Sequence, residues 1–274
     1  MSKTNTAGQM RLQREAKMAV KEYETQIKKH GKITDNFICL PDPENVYVWW
    51  YIVFGLTDPK QYTGGFYIGK VECKDTYPAT APNITIYTDN GKYRTHKQQP
   101  DGICLSISDF HQESWNPAWK VTQIVLGLVS FWLDDEYTYG SIEQYDLDQL
   151  KMDLTHEEHS TRFAMLSRDH VLAHEKYQQI FAPYASAIGI DKEQSYPAWD
   201  AIKLKVDGLE ERKQKEKEEA AKREKQAEEE RLRLEKEAHE RYIIENRFQI
   251  IRDYFVGLKK NNINVAANKR QRIL

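Results

Sequence analysis

The pattern of apolar and polar residues divides the chain into a mixed N-terminal part and a charged C-terminal part. Between Gln9 and His30, apolar residues recur at helical spacing with basic residues between them. Gly31 follows, and glycine is typical of the residue just after a helix C-terminus. The pattern therefore predicts a first helix over 9–30, and residues 1–8 before it are expected to be disordered.

Four short apolar segments of β-type composition follow this helix, separated by turn-forming residues such as proline, glycine and aspartate. Consecutive strands with short connections usually lie side by side, so we expect a four-stranded antiparallel meander. The predicted strands are Phe37–Leu40, Tyr47–Leu56, Gly65–Cys73 and Asn83–Thr88.

The region after the strands contains a long loop and then helices. From Thr88 to Trp119 no period dominates, which indicates an irregular loop. Val121–Trp132 is apolar nearly all round and predicts a buried helix, and Glu157–Phe181 predicts a more amphipathic one. Helix, meander, loop and helices together define an α+β domain over 9–184.

The C-terminal part consists mostly of Glu, Lys, Arg, Gln and Ala. A break at Pro197 suggests a linker over 185–202. Many Glu-to-Lys or Glu-to-Arg pairs four residues apart then predict a long helix over 203–260. Large apolar residues are missing between Glu210 and Glu230, which favours a solvated helix there over a coiled-coil seam. The last residues, 261–274, form a basic tail.

An apolar stripe near the end of the charged helix is expected to pack on the N-terminal domain, on a second copy of the chain or on a protein partner. Its residues recur at alternating steps of four and three: Ile244, Phe248, Ile251, Phe255 and Leu258.

Composition and charge exclude several function classes. Charged residues make up 30% of the chain, but the net charge is −2 and no basic block is large enough to bind nucleic acid. The three cysteines lie far apart without a CxxC pair, which predicts neither a disulfide framework nor a metal site. The longest apolar run, Ile124–Leu133, is too short to span a membrane, and the N-terminus has no apolar signal segment. We therefore expect a soluble, cytoplasmic or nuclear protein.

Four short motifs carry the functional information, and each is weak on its own. They are Tyr62-Thr63-Gly64-Gly65, Tyr77-Pro78-Ala79-Thr80-Ala81-Pro82, Asp101-Gly102-Ile103-Cys104-Leu105-Ser106 and Trp115-Asn116-Pro117-Ala118-Trp119. In this order and at these separations they resemble the ubiquitin-conjugating enzyme family over roughly Gln9–Glu143. Within the family, the segment after Cys104 is similar to the tail-anchored subfamily of the endoplasmic reticulum, here without a membrane anchor. The resemblance implies the ubiquitin-conjugating (UBC) fold.

The resemblance also implies an acyltransferase that receives ubiquitin from an activating enzyme as a thioester on Cys104. It would pass ubiquitin to a protein substrate with a ubiquitin ligase, and it needs no cofactor because the activating enzyme uses the ATP-magnesium. A thiolate is both a good nucleophile and a good leaving group, as an acyl carrier requires. Cys39 and Cys73 lie in β-type segments and are interpreted as core residues. The alternatives are a catalytically degenerate binding module of the same fold and a scaffold.

A donor for the transition-state oxyanion is expected upstream of the cysteine. The family usually supplies an asparagine from a His-Pro-Asn motif, and Thr88-Asp89-Asn90 occupies that place here. The resemblance thus implies Asn90 as the donor, fourteen residues before Cys104, with 97–100 as an insertion. The alternative is that Asn90-Gly91 only forms a tight turn.

The incoming acceptor must lose a proton, and the resemblance favours Asp109 and His111 for this task. The acids after the buried helix, Asp134, Asp135 and Glu136, are the other candidates.

The family binds ligases through its first helix, the turn after Tyr77-Pro78 and the loop before the buried helix. Carried over to this chain, the candidate ligase-binding residues are Arg11, Arg14, Ala79, Pro117 and Ala118. Ala79 stands where many members carry an aromatic residue, which bears on which ligases could dock.

Overall fold

The computed structural model describes residues 6–134 and 137–271, and the expected α+β arrangement is confirmed there. In chain order the elements are α1 (Ala7–His30), β1 (Phe37–Pro41), β2 (Val48–Phe54), β3 (Phe66–Glu72), β4 (Asn83–Ile86), α2 (Val121–Leu133), α3 (Gln144–Asp148), α4 (His156–Ala173), α5 (Ala185–Ile188) and α6 (Pro197–Gln271). The chain divides into two compact units, and the second begins at Glu210. Of residues 1–8, which were expected to be disordered, 1–5 lie outside the described residues, whereas Ala7 and Gly8 belong to α1.

The first helix begins two residues earlier than predicted, because Thr6 caps it. The Thr6 hydroxyl accepts a hydrogen bond from the Gln9 amide at 3.1 Å, and the Gln9 side chain accepts one from the Thr6 amide at 2.9 Å. At the other end, Gly31 adopts the left-handed conformation with φ 69°, and its N–H donates to Ile27 O. Both ends of α1 are therefore fixed by local sequence.

The sheet is the predicted antiparallel meander, with strands in the order β1-β2-β3-β4. Helices α1 and α2 pack against β1, and α4 packs against β3. Since helices cover the sheet, β2 is buried from Trp49 to Phe54, which explains its nearly continuous apolar sequence. Cys73 and Thr88, at the ends of two predicted strands, fall outside the strands.

The prediction that Val121–Trp132 forms a buried helix holds for one face of α2 and is wrong for the other. In α2, Leu126 is 55% exposed and Leu133 is 40% exposed. The opposite face enters the core, where Trp132 is almost fully buried with its ring centroid 4.9 Å from that of Tyr67. α2 therefore closes the core with one face only.

The predicted helix over 157–181 is interrupted. α4 ends at Ala173, and His174 adopts an extended backbone with φ −73° and ψ 130°. The His174 ring packs 5.3 Å from the ring of Trp50 on β2, and a π-helical turn follows over Tyr177–Phe181. Packing against the sheet thus outweighs the helical periodicity of this segment.

Pro197 begins a helix rather than breaking one, since proline suits the first turn of a helix. The first turns of α6 belong to the first unit: Ile202 and Val206 pack on Leu154, and Lys205 Nζ lies 2.8 Å from the Glu158 carboxylate. Part of the predicted linker is therefore helical and docked. Throughout 6–134 and 137–271, every helix is too short or too polar to cross a membrane.

Candidate active site

Cys104 lies in the loop between β4 and α2, and its side chain is partly exposed. The Cys104 amide donates to Tyr139 O at 3.0 Å, and its carbonyl accepts a hydrogen bond from the Thr138 hydroxyl. The neighbours Ile103 and Leu105 are buried. The loop is thus anchored on both sides of the cysteine, and the thiol is presented at the surface on a fixed backbone.

The other two thiols are core residues. Burial raises the pKa of both Cys39 and Cys73, which keeps them protonated. The Cys39 amide also donates to the Tyr23 hydroxyl at 3.0 Å, which ties β1 to α1. Cys104 is therefore the accessible nucleophile among the three cysteines.

A glycine lets the loop pass close to β4 just before the cysteine. Gly102 has φ +94°, and a Cβ there would lie 2.6 Å from Asn83 Nδ2 and 2.7 Å from Ile84 O. The next residue, Ile103, donates its N–H to Ile84 O at 2.9 Å. The DGICLS motif therefore combines a residue that must be glycine, a buried anchor and an accessible thiol.

His111 is held against the thiol by a carboxylate. Cys104 Sγ lies 3.1 Å from His111 Nε2, and His111 Nδ1 lies 2.8 Å from Glu113 Oε1. The hydrogen bond with His111 lowers the pKa of Glu113, so this carboxylate stays ionised. With the Nδ1 proton donated to Glu113, the Nε2 lone pair faces the thiol. The three residues form a thiol–imidazole–carboxylate series suited to moving a proton.

Sequence reasoning named His111 but not Glu113, because a single acid in a polar loop is usually only solvated. It also missed the aromatic side chains beside the cysteine. The rings of Phe110 and Tyr139 lie 5.7 Å apart, and Tyr139 is 58% exposed. Since the Tyr139 carbonyl accepts the Cys104 amide, this ring pair lies beside the cysteine loop.

Asp109 is held by groups other than the thiol. One of its carboxylate oxygens lies 3.1 Å from Lys74 Nζ, and the other accepts a hydrogen bond from Asn83 Nδ2 at 3.3 Å. Its role in acceptor activation stays a prediction. Of the alternative acids, the Asp134 carbonyl accepts a hydrogen bond from Lys92 Nζ, while Asp135 and Glu136 lie outside the described residues.

Asn90 is fully buried and forms the tight turn considered as the alternative above. Its Nδ2 donates to Thr88 O and Tyr93 O, both at 2.9 Å. Its Oδ1 accepts from the amides of Lys92 at 2.8 Å and Tyr93 at 2.7 Å, and Gly91 has φ 77°. Both amide hydrogens already point at carbonyl oxygens, so donation to an oxyanion would require one of them to be released. The oxyanion role stays a prediction.

The candidate ligase-binding residues fall on connected elements. The Arg11 guanidinium donates to Pro117 O and, at 2.8 Å, to Trp119 O, while its Nε lies 2.8 Å from Glu15 Oε1. Arg11 also lies over the ring of Tyr77, 5.4 Å from its centroid. The first helix, the Tyr77 turn and the loop before α2 are thereby joined through one side chain.

The remaining candidates of this surface are exposed. Arg14, Ala79 and Ala118 all face solvent, as does Pro117. The Ala79 carbonyl accepts a hydrogen bond from Gln112 Nε2 at 3.1 Å, which links the turn to the loop that follows the cysteine. Within the described ranges, no group of three or more His, Cys, Asp or Glu is arranged to hold a metal ion.

Several proteins similar in sequence to this chain are named ubiquitin-conjugating enzymes. A protein of Dictyostelium discoideum named ubiquitin-conjugating enzyme E2 J2-like is 42% identical over 108 residues, covering 39% of this chain and 61% of that protein. Ubiquitin-conjugating enzyme E2 34 of Arabidopsis thaliana is 37% identical over 132 residues, covering 48% and 52%. Ubiquitin-conjugating enzyme E2 J2 of Homo sapiens is 38% identical over 117 residues, covering 42% and 43%. The chain spans about half the length of the curated relatives it matches.

A family model described as ubiquitin-conjugating enzyme matches residues 11–159, which is more than half of the chain. These residues contain the whole sheet, the cysteine loop and α2. The family and subfamily likeness expected from the sequence are therefore confirmed. The chain belongs to the ubiquitin-conjugating enzyme family.

Proposed function

We propose that this protein accepts ubiquitin from an activating enzyme as a thioester on Cys104 and transfers it to a protein substrate. The observation that carries the proposal is the 3.1 Å approach of His111 Nε2 to the Sγ of the one partly exposed cysteine. A buried structural cysteine would need neither exposure nor an imidazole oriented by a carboxylate.

The loading step follows from this geometry. Cys104 Sγ attacks the carbonyl carbon of the thioester on the activating enzyme, and the bond from that carbon to the enzyme's sulfur breaks. His111 Nε2 takes the proton from Cys104 and gives it to the departing thiolate of the activating enzyme, which leaves as a thiol, so the step is neutral overall. Thiols exchange an acyl group in this way without a cofactor in this chain, and the ATP-magnesium acts on the activating enzyme.

The transfer step uses the same residues. An acceptor amine or hydroxyl attacks the Cys104 thioester, His111 Nε2 removes the acceptor's proton, and Cys104 departs as a thiolate that is then protonated. The Glu113 carboxylate holds the Nδ1 proton and stabilises the imidazolium that forms. Asp109, which lies in the same loop, is proposed as a residue that positions the acceptor.

We propose that a ubiquitin ligase binds the surface formed by Arg11, Arg14, Ala79, Pro117 and Ala118. Arg11 supports this assignment, since its side chain joins α1 to the loop before α2. The three free thiols fit a reducing compartment, so we propose a cytoplasmic or nuclear site of action.

The test is thioester formation. The protein is incubated with ubiquitin-activating enzyme, ATP-magnesium and ubiquitin, and the products are compared on non-reducing and reducing gels. We expect an adduct that reducing agent removes, that Cys104→Ala abolishes and that the matched control Cys73→Ala retains. An adduct formed only with a ubiquitin-like modifier would overturn the choice of ubiquitin. No adduct with any activating enzyme would identify a degenerate binding module.

A further inference from the structure

The second unit carries an apolar seam on an otherwise polar helix. The seam is made of residues that are each between 39% and 64% exposed: Ile244, Phe248, Ile251, Phe255 and Leu258. Their alternating four- and three-residue steps place them at the d and a positions of a heptad repeat, starting with Ile244 at d. This is the spacing of a seam that pairs with another helix.

The residues beside the seam decide which helix can pair with it. With Ile244 at d, the e positions between Ile244 and Phe255 hold Glu245 and Arg252, and the g positions there hold Arg247 and Tyr254; Glu240 at g and Lys259 at e lie outside this stretch. The four side chains within the stretch are all exposed. Charged residues at e and g set the partner and orientation of paired helices, because they meet across the interface.

A parallel pairing of two copies is disfavoured by these charges. In a parallel pair, each g position faces the e position five residues later in the other helix. Glu240 would then face Glu245, and Arg247 would face Arg252. Symmetry doubles both contacts, so four like-charge pairs would flank a short seam.

An antiparallel pairing reverses the sign of these contacts. When Phe248 packs opposite Ile251 of a second copy, e positions face e positions and g positions face g positions. Glu245 then faces Arg252, and Arg247 faces the ring of Tyr254. Each contact again occurs twice, and all four are attractive.

We propose that the 244–255 segment of α6 associates with the same segment of a second copy in an antiparallel pair, which leaves Leu258 of each copy opposite Arg241 of the other at the ends of the seam. The two copies bury four layers in which an isoleucine meets a phenylalanine. A seam of about two heptads gives a weak, reversible pair. Such pairing would carry two Cys104 sites in one assembly without using the ligase-binding surface.

The experiment measures the mass of the full 32.2 kDa chain by sedimentation equilibrium over a range of concentrations. We expect a monomer–dimer equilibrium that Arg252→Glu weakens roughly tenfold, since it converts two attractive pairs into two repulsive ones. Glu245→Arg combined with Arg252→Glu restores the dimer. The matched control is Lys260→Glu, with the same charge change at the outward f position, which leaves dimerisation unchanged.

Other outcomes overturn the proposal. A dimer that Arg252→Glu strengthens would be parallel, because Arg247 would then face a carboxylate instead of a guanidinium across the interface. A chain that stays monomeric up to about 0.5 mM would have no useful self-affinity. Binding of that monomer to lipid vesicles would assign the seam to a membrane surface instead. Helical circular dichroism and Cys104 thioester formation, measured on every variant, show that the substitutions leave the fold intact.

Discussion

Asn90 offers a test that separates bracing of the loop from chemistry at the thioester. Replacing Asn90 with alanine leaves two buried N–H groups, of Lys92 and Tyr93, and two buried carbonyls, of Thr88 and Tyr93, without the side chain that binds them. Each orphaned buried group costs about 1–3 kcal/mol, partly offset where water enters. We therefore expect the free energy of unfolding to fall by about 3–4 kcal/mol.

The assay has two readouts. Thermal unfolding of Asn90→Ala should show a midpoint lower by roughly 10 °C, the shift that this loss causes in a domain of about 200 residues. Single-turnover discharge of the ubiquitin thioester to free lysine, measured at about 25 °C where the variant is folded, should change only modestly. Asn90→Asp keeps the two accepted hydrogen bonds but loses both donated ones, so its stability should lie between wild type and Asn90→Ala.

The opposite pattern would refute the bracing argument. An oxyanion donor contributes about 100- to 1,000-fold to the rate of the step it stabilises. If Asn90→Ala and Asn90→Asp both slowed discharge by that factor while the unfolding midpoint stayed at the wild-type value, Asn90 would act in the transition state. Its four hydrogen bonds would then contribute little to stability.

Three further predictions concern the active-site loop and the pH dependence of stability. Glu113→Gln should slow lysine discharge roughly tenfold, because it weakens His111 as a base, while thioester formation persists. The rate is measured in the same discharge assay, with Glu157→Gln as a distant control. An unchanged rate would remove Glu113 from the mechanism. Gly102→Ala should lower the unfolding midpoint and slow loading, because its Cβ would overlap β4; wild-type behaviour would show that the loop shifts freely. His159 is fully buried, neither ring nitrogen meets a hydrogen-bond partner among the described residues, and burial lowers its pKa. Below about pH 6.5, His159 is protonated in the unfolded chain but stays neutral in the folded chain. The free energy of unfolding therefore falls as the pH drops below that value. His159→Leu should reduce the difference between unfolding midpoints at about pH 7.5 and about pH 5.5, and an equal difference in both proteins would contradict this.

Much of the fold can be predicted from the sequence because local sequence preferences and tertiary packing agree. The meander follows from short β-type segments and their turns, and α1 follows from its periodicity and Gly31. The prediction failed where packing overrides local pattern. His174 leaves the helix because its ring packs against Trp50, and Leu126 stays exposed although it lies within the apolar run Ile124–Val129.

Only part of the candidate site can be predicted from the sequence. Cys104 and His111 stand in recognisable motifs, so their identity could be predicted but not their 3.1 Å approach, which depends on how the loop turns back. Glu113 and Tyr139 carry no distinguishing pattern. They matter only because the fold brings them to the cysteine, and sequence separation does not reveal that.

The hydrogen bonds that fix the Cys104 backbone to Thr138 and Tyr139 have a consequence for the speed of the proposed ubiquitin transfer. A nucleophile on a loose loop would lose conformational entropy at every encounter with a partner, and the reaction rate would fall accordingly. Here that entropy is lost once, when the chain folds. Each productive collision can then begin with the sulfur already in position, so substitutions that loosen the 137–141 segment should slow transfer without touching a reacting atom.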